Sequence, residues 1–73
     1  MDLLDRIQVN AEVCNGRPTL RGLRITVRTV LEYIAAGETV ENILAAYPDL
    51  EAEDIRAALQ YAALAVDHPV VMR

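Results

Sequence analysis

Two groups of side chains have types and spacings that could do chemistry. The first lies in Gly16 to Val27, GRPTLRGLRITV, where Arg17, Arg21 and Arg24 occur with no acid among them and Arg28 follows at once. Guanidinium groups at this density suit carboxylate or phosphate oxygens, which their planar fork grips two at a time. The second is Glu51, Glu53 and Asp54, followed by Arg56 and Gln60. On a helix in a DNA groove, Arg56 could meet a guanine edge and Gln60 an adenine, yet three carboxylates facing phosphates oppose that docking. An Arg56 paired with Glu53 or Gln60 across one turn is the plainer reading.

Catalytic constellations are missing. Cys14 is the only cysteine and the only histidine, His68, lies 54 positions further on, so neither zinc-type spacing nor a Cys/His nucleophile is supported. The glycines of residues 16–22 are interrupted by Arg17, Pro18 and Leu20 and make no phosphate-cradling loop. No catalytic, cofactor-binding or metal-ligating residue is assigned, and no small-molecule substrate is expected. His68, beside Pro69 at a helix end, reads as a terminal residue suited to the helix dipole.

The elements that must carry the arginines are short. Arg6 to Val9, Pro18 to Leu20 and Arg24 to Val27 are brief extended candidates, and Asn15-Gly16 between them is a strong turn signal because both residues tolerate positive φ. Strands of this length need a helix or another chain to lean on. Thr26 can cap a first helix whose apolar positions Val27, Val30, Leu31 and Ile34 recur at helical spacing, with Gly37 ending it. Thr39 caps a second helix carrying Val40, Ile43, Leu44 and Tyr47, which Pro48 stops. A third runs from the acids at 51–54 to about Asp67, before Pro69. Its first stripe is Ile55, Ala58, Leu59, Ala62 and Val66. A second stripe, Ala57, Tyr61, Leu64 and His68, lies on another face and is the candidate dimer or partner surface, the alternative being that the N-terminal arm and the tail Val70-Val71-Met72 fold over it.

These readings give a mainly α domain over residues 1–73. A β arm or hairpin (6–27) precedes a three-helix, homeodomain-like or winged-helix-like bundle (27–67) whose outline matches a helix-turn-helix. The chain is 53% hydrophobic but only 4% aromatic, so its core must come from Ala, Val, Leu and Ile at close range. Seventy-three residues bury a small core, and a homodimer or a complex is expected. Charge is uneven along the chain: residues 1–12 sum to −2, residues 13–31 to +4 and residues 32–73 to −6. Any contact with phosphate must therefore come from the arginine segment. The start, MDLLDR, has acids where a secretory signal carries bases, and no apolar run approaches the ~18 residues of a membrane span. A cytoplasmic protein with no membrane contact is expected.

Gly16-Arg17-Pro18, Leu20-Arg21-Gly22, Arg24-Ile25, Val27, Val30-Leu31, Gly37, Ile43-Leu44, Tyr47-Pro48-Asp49-Leu50 and Asp54 to Ala62 (DIRAALQYA), in this order, closely resemble the small prokaryotic family known as domain of unknown function 433. The likeness runs from about Arg6 to Ala63. Leu23 stands where that family has Thr, Ala11 where Pro is common, and Glu51 where Thr or Ser would cap the third helix. The resemblance implies a helix-turn-helix-like, homeodomain-like fold and an antitoxin-like role in a two-gene module, with a PIN-type ribonuclease toxin as companion. Such nucleases hold metal with clustered carboxylates, so Arg17, Arg21, Arg24 and Arg28 together with the second stripe of the third helix are the expected contacts. Operator DNA bound by a homodimer is the alternative. An internal use is also open: Arg24, or Arg21, could tie the arm to Glu51 or Asp54. On balance Arg17 and Arg21 are expected to point outward and Arg24 to hold the arm.

Overall fold

A computed structural model describes residues 2–66 of the chain; His68 and the other residues of 67–73 lie outside the described part. A 3-10 turn, Leu3–Arg6, leads into strand β1, Ile7–Gln8. After a loop with a second 3-10 turn at Cys14–Gly16 comes β2, Thr19–Leu20, antiparallel to β1 with Ile7 opposite Leu20 and Gln8 opposite Thr19. Thr19 also bridges to Thr26, so the Arg24 to Val27 segment joins as a third, minimal rung. The expected arm is present, but its link is long. The Asn15-Gly16 turn, with φ of 59° and 79°, bends this loop and does not close a two-residue hairpin.

Three helices follow: α1, Val27–Ala35; α2, Val40–Ala46; and α3, Ala52–Ala65. Their ends are written locally. The hydroxyls of Thr26 and Thr39 accept hydrogen bonds from the backbone N–H of Thr29 and Asn42, each at 3.1 Å, which satisfies donors that a helix start leaves open. At the end of α1, Gly37 takes φ 91°, its N–H donates to Ile34 O, and Glu38 N–H donates to Tyr33 O. That pair of bonds is the Schellman stop, and the left-handed φ explains the glycine.

The core is Leu20, Val27, Val30, Ile43, Leu50, Ile55, Ala57 and Ala58, with Tyr33 and Tyr47 packed edge to face against it at 5.7 Å between ring centroids. Small side chains allow this closeness: Ala57 and Ala58 let α3 approach α1 and the 3-10 turn at the front of the chain. No helix among the described residues is long and apolar enough to cross a membrane.

Candidate functional site

The arginine segment and the acids of α3 meet, and strand register explains how. Pairing Ile7 with Leu20 sets Arg6 opposite Arg21, and the Arg21 N–H donates to Arg6 O at 2.6 Å. Two cations opposite one another on adjacent strands repel. Asp54, at the third position of α3, answers both. Its carboxylate accepts from Arg6 Nη1 at 2.9 Å, from Arg21 Nε at 3.0 Å and from Arg21 Nη2 at 2.9 Å. It also accepts from the backbone N–H of Glu51 at 2.8 Å, the return half of a capping box. Arg21 further donates to Asp49 O, and Arg6 to Glu51 at 2.8 Å.

Asp54 is fully buried, whereas the side chains of Arg6 and Arg21 keep 27% and 35% exposure. Burial alone would push the Asp54 carboxyl up; hydrogen bonds from Arg21, the Glu51 N–H and Arg6 outweigh it and hold the group below the usual carboxylate value. Both arginines move up, through bonds to Glu51 and Asp54 for Arg6 and to Asp54 for Arg21.

The expected roles of Arg21 and Arg24 are exchanged. Arg21, in a left-handed turn with Gly22 at φ 51° and 74°, lies over the first turn of α3 and ties the arm to it. Arg24, three residues on, is exposed and makes no ion pair among the described residues, and neither do the exposed Arg17 and Arg56. The Arg56 pairing with Glu53 or Gln60 is therefore absent. Arg28 pairs with Glu32 at 3.0 Å across a helix turn, both well exposed, which is a weak bond. Arg6 was not singled out from the sequence; its signal is the strand register, invisible until β1 and β2 are paired.

The second stripe of α3 divides. Ala57 is fully buried in the chain's own core and offers no surface to a partner, because the 3-10 turn and α1 close over the first half of α3. Tyr61 is half-buried and Leu64 is 52% exposed, and His68 lies outside the described residues. Around Tyr61 the surface opens into two apolar hollows. One, about 290 Å³, is lined by Pro18, Val27, Arg28, Leu31, Tyr61, Ala62, Ala65 and Val66, and Arg28 is its one charged wall. The other, about 420 Å³, is lined by Leu4, Ile7, Val9, Tyr61, Leu64 and Ala65 and has no charged wall. No group of three or more His, Cys, Asp or Glu side chains is placed to hold a metal ion among the described residues.

Residues 7–62 match the family described as "Protein of unknown function (DUF433)". A curated relative, "Uncharacterized protein y4eO" of Sinorhizobium fredii (strain NBRC 101917 / NGR234), is 45% identical over 51 residues, covering 70% of this chain and 23% of that protein. The crystal structure of a DUF433 member protein from Anabaena variabilis ATCC 29413 superposes with a TM-score of 0.77 at 39% identity, over 81% of this chain and 58% of that one. The chain thus spans about a quarter of the curated relative and somewhat over half of the crystallised one.

Proposed function

We propose that this chain, which belongs to the DUF433 family, is a protein-docking module: the antitoxin-like member of a two-gene module that holds and neutralises a PIN-type ribonuclease. The observation that carries this reading is the smaller hollow beside α3. Its walls are apolar, Arg28 stands on its lip, and Arg17, next to the wall residue Pro18, pairs with no acid among the described residues. Apolar walls supply contact area, and cations without strong internal partners supply recognition of the carboxylates such a nuclease gathers around its metal. Arg24 is available for the same work; Arg21 is not, being held by Asp54.

Operon repression belongs, in this reading, to the complex with the nuclease. Autonomous DNA binding has less support. Helix-turn-helix proteins read bases with the first residues of the recognition helix. Here that end of α3 lies under Arg6 and Arg21, and it exposes Glu51 and Glu53.

The test is to mix the chain with the nuclease encoded beside it and to follow complex formation by size exclusion and nuclease inhibition. Arg17→Glu together with Arg28→Glu weakens the complex at least tenfold. Absence of any complex with the wild-type chain overturns the proposal. Binding to operator DNA without the nuclease, with a salt slope of about 0.9 per phosphate neutralised, would favour the regulator instead.

A further inference from the structure

The larger hollow differs from the docking lip just described in having no charged residue in its lining, and a strand edge unpaired among the described residues runs beside it. Leu20 donates its N–H to Ile25 O and Arg21 donates to Arg6 O. In an antiparallel ladder, backbone groups face alternate sides residue by residue. With Arg6 bonded toward β2, the Ile7 carbonyl turns away from β2 to the open edge, while the Ile7 N–H is taken by Leu4 O. Val9, two residues on, turns its N–H to the same edge and makes no backbone bond among the described residues. An acceptor at Ile7 and a donor at Val9 therefore stand on either side of Gln8, on one edge.

That arrangement complements itself. We propose that the uncharged hollow is closed by a second copy of this chain, with β1 running antiparallel to its counterpart about a two-fold axis at Gln8. Val9 N–H of each protomer then donates to the Ile7 carbonyl of the other, two identical bonds from one isologous contact. Ile7 and Val9 share a strand face and both line the hollow, so the same pairing brings the two apolar surfaces together, with Leu64 of each protomer set against the other.

Charge selects this occupant over an acidic or basic partner. About a two-fold axis a patch meets itself, so any charge on it would face its like; the six residues lining this hollow bring none. The area needed is modest. The low end of a stable interface, about 600 Å² per partner, is a small share of a surface of 5263 Å². Val9, 64% exposed, and Leu64 are the side chains that closure would remove from water.

Sedimentation equilibrium over a wide dilution series, with amide hydrogen exchange on the same samples, decides the matter. The wild-type chain is expected to be a dimer that dilution dissociates, with exchange at the Val9 amide slowing roughly tenfold or more in the dimer. Leu64→Glu and Val9→Glu, both at exposed positions, each yield a monomer whose melting temperature matches that of the wild type diluted to monomer. Leu59→Glu, another exposed leucine of α3 outside the hollow, leaves the dimer intact. A wild-type chain that stays monomeric at the highest concentration overturns the inference. So does a dimer that survives both Glu variants, or one that dissociates only with Leu59→Glu. None of these readings uses the nuclease, so the inference stands or falls separately from the docking role.

Discussion

The two halves of α3 are made of similar residues and do opposite things. From Asp54 to Ala58 the helix is enclosed: Asp54, Ile55, Ala57 and Ala58 are all buried, and the one charge among them has every lone pair engaged by Arg6, Arg21 or the Glu51 N–H. From Leu59 to Val66 it is uncovered: Leu59, Leu64 and Val66 are 45%, 52% and 61% exposed, with hollows on either side of Tyr61. Hydrophobicity does not separate the halves. What separates them, among the described residues, is the reach of the other elements, since the 3-10 turn and the helices in front cover only the first turns. The half held by the Asp54 hub and the core stabilises this fold, and the other half leaves apolar side chains exposed among the described residues.

The comparison can be broken most directly at Asp54. Asp54→Ala removes the shared anion and leaves two facing arginines; truncating one partner of a buried pair costs about 3–5 kcal/mol, and partial solvation of the arginines reduces this to about 2–4 kcal/mol. Urea unfolding measures it, and a loss below about 0.5 kcal/mol would remove the distinction between the halves. Ala57→Leu comes next. Overpacking a closed position destabilises by about 1–3 kcal/mol, whereas the same side chain on a partner-facing surface would be tolerated.

Acid sharpens the contrast further. The Asp54 carboxyl is held below its unfolded value of about 3.9, so its contribution is complete well above that value and is lost as pH falls through the lower, folded one. Thermal melts of the wild type should lose stability below about pH 4 more steeply than those of Asp54→Asn, which has no such group to protonate. The smallest effects belong to residues outside the enclosed half. Arg24→Gln and, measured on the monomer, Leu64→Glu should each leave stability within about 0.5 kcal/mol, while Arg21→Gln lowers the melting temperature measurably.

Much of the bundle was legible because its signals are local. Thr26, Thr39, Gly37 and Pro48 mark helix ends by chemistry confined to a few neighbours, and the structure places the ends there. The meeting of arginines with the acids at 51–54 was legible as charge bookkeeping alone. Which arginine was not: Arg21 and Arg24 share a turn, and only the register of two-residue strands decides that Arg21, with Arg6 opposite, lies over Asp54. Arg6 carried no signal by itself, standing beside Asp5 in an acidic start. The α3 stripe was half legible. Periodicity correctly put Ala57, Tyr61 and Leu64 on one face, but it holds no information about how far along that face neighbouring elements extend.

The Asp54 hub also sets an order of events. Its two arginines precede it by 48 and 33 residues, so during synthesis both leave the ribosome well before the carboxylate that will hold them. The arm has no lasting place to dock until α3 exists, and the contacts that hold it are long-range ones. The arm therefore cannot lock onto the hub until the chain has been made at least as far as Asp54.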